Sequence, residues 1–162
     1  MLGFLALMGN KLESSAIRIL DGRRVMAIAT VRPDGWPQVT IVGYANVGLL
    51  IYFMVFRSSQ KAANIRHDDR IAIAVGEEPH HLNLLQAVYS SAHACEVTDL
   101  NERDQAWRLL RKRHPNLEGQ DLPDSSDVVL MRAKCEHVSV LDRTQGWTDA
   151  ENFTAEFEVP TA

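Results

Sequence analysis

Residues 25–61 read, in succession, VMAIATV, RPDGWP, QVTIVGY, ANVG, LLIYFMV and FRSSQK, and this stretch decides the fold. Val25 to Val31 is β-branched and small-apolar throughout, the composition of a strand buried on both faces. Arg32-Pro33-Asp34-Gly35 follows, with proline at the second turn position and glycine at the fourth, which is type I hairpin chemistry. Gln38 to Tyr44 is the returning strand, Ala45-Asn46-Val47-Gly48 the next turn, and Leu49 to Val55 a third strand. Three strands joined by two tight turns form an antiparallel meander.

Working outward, a serine cap at Ser58 or Ser59 opens a short helix through Ile65. Arg70 to Val75 is a fourth strand, and Leu85 to Val97 a fifth, longer and more polar. Thr98 or Asp99 caps a helix that runs to about His114 and stops at Pro115. Its first turn carries Glu102 and its last Arg111, Lys112 and Arg113, the order a helix dipole favours. Asp127 to Asp142 is a sixth strand, with a break expected near Lys134-Cys135-Glu136. Upstream, residues 13–20 form a short helix stopped by Asp21-Gly22, and the tail from Arg143 reads as loop with some order around Trp147 and Phe153. Six strands at hairpin spacing, without regular βαβ alternation, argue for a closed or partly closed barrel over a doubly wound sheet.

The 162 residues carry 17 Lys+Arg against 21 Asp+Glu, a net charge of −4. That length fits one domain over residues 1–162, with an N-terminal arm of about 1–20 and a tail of about 143–162. An acidic balance lacks the basic surplus of nucleic-acid binders. Met1 to Gly9 is apolar, but no basic residue precedes it and no small-residue cleavage pattern follows, so it reads as a packing arm and not a signal peptide. Val47 to Phe56 is far shorter than the roughly 20 residues that span a bilayer. Two cysteines make no disulfide framework. The expectation is a cytoplasmic protein without membrane or nucleic-acid partners.

Chemistry concentrates where the third strand runs into Arg57-Ser58-Ser59-Gln60-Lys61. A helix N-terminus offers unpaired N–H groups and partial positive charge; serine hydroxyls and a first-turn lysine complete a seat for phosphate. On spacing alone the plainer reading is a serine cap beside a solvated lysine. Their setting weighs on this choice. The order of strands and turns, with Met26 to Val31, Pro33-Asp34-Gly35, Pro37 to Val42, Tyr52-Phe53-Met54, Ser59-Gln60-Lys61, Asn64-Ile65 and Asp68 to Ile71, resembles the pyridoxamine 5′-phosphate oxidase-like family of FMN-binding split barrels. The likeness is close over residues 22–76 and looser beyond.

The resemblance implies a mainly β fold with flanking helices, a six-stranded antiparallel split β-barrel. It further implies a homodimer with FMN at the subunit interface. It places Ser59 and Lys61 on the FMN phosphate, with Gln60 between them where the family often has arginine. It puts Thr40 and the backbone of Ile41 and Val42 against the flavin ring, and Met54 and Val55 near the ribityl chain. The last four could instead be ordinary barrel core. Trp147, beside Gly146, would either stack over the flavin as a lid or simply pack.

Two departures bear on function. Residues 141–147 lack the arginine-x-histidine pair that the true oxidases carry in a C-terminal extension. The expected activity is therefore that of a flavin-dependent oxidoreductase other than pyridoxamine phosphate oxidase, with no catalytic acid or base assigned. The alternatives are a non-catalytic flavin-binding or stress-related dimer, or a relative that handles deazaflavin or haem. His93-x-Cys95 and Cys135-x-His137 would form a zinc site only if both pairs faced one another at period two; no metal is expected. Hydrolase, nucleotide-loop and zinc-protease motifs are absent from the sequence.

Overall fold

Strand β1 (Val25–Val31) turns Met26, Ile28 and Thr30 into a barrel and leaves Val25, Ala27 and Ala29 outside. It pairs antiparallel with β2 (Pro37–Val47) on one side and β4 (Arg70–Gly76) on the other. The order continues from β4 to β5 (Gln86–Glu96) and β6 (Val128–Asp142). Strand β6 then pairs with β3 (Leu50–Phe56), which pairs with β2, so six antiparallel strands close on themselves. The computed structural model describes residues 2–76, 79–117, 126–146 and 149–155.

The turns follow the local chemistry. Gly35 sits at φ +87° and Gly48 at φ +57°, conformations that a β-carbon penalises, and each closes a hairpin. The Asp34 carboxylate accepts from Arg32 and from the Trp36 N–H, bracing the first turn.

Among the described residues three α-helices flank the barrel. Helix α1 (Leu2–Asp21) buries Ala16, Ile19 and Leu20, spaced to share one helix face, in the barrel core. It lies at the end where β1 begins. Helix α2 (Gln60–His67) buries Ala62, Asn64 and Ile65, and its Asn64 bonds Thr30 near the end where β1 finishes. Helix α3 (Leu100–Arg113) packs outside the barrel, where Ala106 and Leu110 cover Ala45, Tyr52 and Leu130 in a second apolar cluster. Asp99 caps it by accepting from the Glu102 N–H at 2.8 Å.

Several expectations need correction. The first helix is not confined to residues 13–20 but extends from Leu2 to Asp21. The sixth strand is continuous: its irregularity is a bulge, since Ser90 faces Val138 while Ala92 faces Cys135, leaving Glu136 and His137 opposite Ser91 alone. The tail adds a short β7 (Glu151–Thr154) that pairs with β6 at His137–Val140. Finally, β1 is not buried on both faces, because its outer side remains open and Val25 is 52% exposed.

The bulge also separates the would-be metal ligands. It puts Cys135 in the core while His137, His93 and Cys95 lie outside. Both cysteines are free, and among the described residues no group of three or more His, Cys, Asp or Glu could hold a metal ion. His93 instead bonds Asp69 at 2.9 Å through Nδ1.

Candidate functional site

Strands β2 and β3 start together at their turn and then part. Their ladder covers only Tyr44–Val47 against Leu50–Phe53. Beyond it, Pro37–Gly43 pairs with β1 and Met54–Phe56 with β6. The barrel is therefore split along this seam. On the side facing the split, β2 from Thr40 to Gly43 has no strand partner among the described residues, so the backbone polar groups that point that way remain open to a ligand.

Helix α2 stands beside the split, joined to the end of β3 through Arg57-Ser58-Ser59. Ser59 is its N-cap: the hydroxyl donates to the Phe56 carbonyl at 2.7 Å and accepts from the Ala62 N–H at 3.2 Å. This leaves the first-turn N–H groups of Gln60 and Lys61 without intrahelical acceptors. Lys61 Nζ reaches across and donates to Thr40 Oγ1 at 2.8 Å. Its ammonium is half-buried, and burial lowers its pKa from the ordinary lysine value. Among the described residues it has no carboxylate partner; the threonine hydroxyl is a neutral substitute.

The structure thus brings Lys61 and Thr40 together beside the helix start that Ser59 caps, a positively polarised notch able to take an oxyanion, while the Ser59 hydroxyl proton is committed to the Phe56 carbonyl. Gln60 is adjacent, but its amide Nε2 donates to Asn64 Oδ1 at 2.9 Å and turns away from the notch. Adjacent strand residues face opposite sides. Val42 and Val55 accordingly line the barrel core, Met54 is half-buried on the outer face of β3, and Ile41 is 66% exposed on the outer face of β2. Their side chains do not converge on one ligand, although the backbone at Ile41 and Val42 borders the split. Trp147 lies outside the described residues.

One residue that sequence reasoning gave no role is Asn64. It is fully buried, and its amide donates to Thr30 Oγ1 at 2.9 Å and Gln38 Oε1 at 3.0 Å. The available signal was a polar residue at a barrel-facing position between the apolar Ala62 and Ile65.

The outer face of β1, β2, β4 and β5 is the other feature of note. Val25, Val39, Ile41 and Tyr89 are exposed there. Two shallow hollows of about 380 Å³ each, floored by Ala27, Ala74 and their neighbours, run along it.

No curated protein matches the sequence. Among solved structures, a heme-binding protein from Mycobacterium smegmatis superposes with a TM-score of 0.72 at 19% identity, over 88% of this chain and 57% of that one. The chain thus spans little more than half of that relative's length. A FAD-binding protein from Mesorhizobium loti gives 0.64 at 24% identity, over 78% and 91% of the two chains. The conserved protein Rv2991 from Mycobacterium tuberculosis gives 0.69 at 20% identity, over 82% and 86%. At these identities the likeness is one of fold. The sequence model described as pyridoxamine 5′-phosphate oxidase, in contrast, matches residues 14–142. That match takes in the barrel, the split and the notch formed by Ser59, Lys61 and Thr40, and the chain belongs to the pyridoxamine 5′-phosphate oxidase family.

Proposed function

We propose that the chain binds FMN non-covalently, works as a homodimer and serves as a flavin-dependent oxidoreductase. The observation that carries this reading is Lys61. A half-buried ammonium without a carboxylate partner among the described residues is costly by itself, and an anion placed between it and a helix N-terminus removes that cost. A phosphate monoester suits the notch, since it accepts from Lys61 Nζ and the first-turn N–H groups together. The open backbone edge of β2 beside it offers donors and acceptors of the kind a flavin ring requires along its polar margin. When bound, FMN supplies the redox chemistry by taking up and releasing electrons or hydride.

The protein's own residues then have three tasks. Ser59 holds the helix start in place, Lys61 neutralises the phosphate, and Thr40 orients the ammonium across the split. The existence of a FAD-binding relative of the same fold supports a flavin. The homodimer is supported by the exposed apolar outer face, which exceeds scattered single residues and runs through β2 next to the notch. A second copy covering Val39 and Ile41 would lie beside the ligand's exposed side.

Replacing Lys61 with alanine tests the seat. A charged hydrogen bond is worth about 1.5–3 kcal/mol, so Lys61→Ala should weaken FMN about ten- to a hundredfold and leave riboflavin nearly unchanged. Equal weakening of both flavins would refute the phosphate assignment.

A further inference from the structure

Helix α2 has eight residues, too few to be stable alone, so its position depends on what it packs against. Two of its three buried residues, Ala62 and Ile65, make apolar contacts, which are non-directional and let a short helix roll or slide. The third, Asn64, is fully buried in the middle of the helix. A buried primary amide is costly unless its hydrogen bonds are made, and here both its ends are engaged. Its Nδ2 donates to Thr30 Oγ1 on β1 and Gln38 Oε1 on β2, while its Oδ1 accepts from Gln60 Nε2.

The placement of these partners matters. The chain joins α2 to β3 on one side of the split and, past Asp68-Asp69, to β4, the neighbour of β1, so across the helix the two halves are linked by backbone only at its ends. Thr30 and Gln38 belong to β1 and β2, on the other side. Asn64 therefore ties the helix across the gap that Lys61 also crosses to reach Thr40, two residues from Gln38 on the same strand. Since Asn64 follows Lys61 by three residues, both side chains belong to one side of the helix, and fixing one constrains the other.

We infer that Asn64 is a positioning residue that sets the width of the split and so the placement of the Lys61 ammonium for the phosphate. Through its bond to Gln60 it also holds that amide against the helix. This inference rests on the phosphate-seat reading proposed above.

The test uses Asn64→Leu, which keeps the branched heavy-atom skeleton at some cost in volume and removes the three hydrogen bonds. FMN and riboflavin affinities are measured in this variant, in Lys61→Ala and in the double variant. The expected result is FMN weakened about tenfold, riboflavin changed less than twofold, and no additional loss of FMN when Asn64→Leu is placed on Lys61→Ala. A merely structural role would weaken both flavins alike and add to the lysine variant; either outcome overturns the inference. Should Asn64→Leu fail to fold, Thr30→Val and Gln38→Met each cut one arm, and each should weaken FMN about threefold with the same selectivity. If neither does, the inference falls. Failure of Lys61→Ala to separate FMN from riboflavin would instead bring down the seat itself, and the inference with it. A selective Lys61→Ala beside unselective Asn64 variants would refute the inference alone.

Discussion

At the scale of the residue, Lys61 carries the account, and its burial has a consequence for pH. Burial favours the neutral amine, so the pKa of Lys61 in the free protein lies below the ordinary lysine value. In the absence of ligand this opposes folding while the amine is charged; the penalty begins to fall as pH rises past the lowered pKa and is gone only above the ordinary lysine value. A phosphate ligand prefers the charged form. FMN affinity should therefore fall with rising pH earlier than a solvent lysine would titrate, while riboflavin affinity stays flat over the same range. Lys61→Arg, charged at any such pH, should flatten the FMN curve, and fluorescence titration between about pH 7 and pH 10 checks both. The cysteines make a second contrast: Cys95 is exposed, whereas burial pushes the Cys135 thiol up to about 11. A thiol-reactive disulfide reagent should modify one cysteine quickly in the native protein, and the second only on unfolding.

Among the elements, α3 is held on the barrel wall by a polar clasp. Arg132 Nη1 donates to both carboxylate oxygens of Glu102 at 3.0 and 2.8 Å, and the Tyr52 hydroxyl donates to Oε1 at 3.0 Å. Burial, followed by the bond to Glu102, pushes the Tyr52 pKa up to about 12. Further along, His114 bonds the Tyr44 carbonyl at 2.9 Å and lies over Gly43. A β-carbon on Gly43 would meet the His114 ring at 3.0 Å, and that ring is tethered. Gly43→Ala should consequently destabilise the fold by about 1–3 kcal/mol, read as a lower Tm by about 2–4 °C per kcal/mol. An unchanged Tm would show that the ring yields freely. At this scale the elements readable in sequence were those decided locally: the Asp99 and Ser59 caps and the Pro33-Asp34-Gly35 hairpin. Strand β7 was not, because Glu151–Thr154 is four residues long and exists through its pairing with β6. The β6 bulge was half legible. A break was expected near Cys135, but only the register against β5 shows that the strand continues and that Cys135 and His137 part company.

For the whole molecule, β1 is the most instructive strand. Its composition reads as buried on both faces, yet the outer face is open in a single chain, with Val25, Val39 and Ile41 exposed beside Ala27, Ala29, Ala72 and Ala74. A second copy on this face would reconcile the two. Ile41→Asp should then yield a monomer by light scattering and weaken FMN as well; a variant that stays dimeric would move the interface elsewhere. The site shows the same division between local and long-range information. Ser59 and Lys61 were readable from the helix start, and Thr40 came from the family resemblance. The Lys61–Thr40 bridge and the Asn64 tether were hidden because each joins residues more than twenty positions apart. The most direct test of the flavin-phosphate account is an equilibrium titration of the purified wild-type protein, followed by visible absorption, with FMN, riboflavin and haem in parallel. Saturable FMN binding at one per chain is expected, with riboflavin at least about tenfold weaker. A protein that leaves FMN unbound, holds both flavins equally, or takes up haem alone would contradict that account.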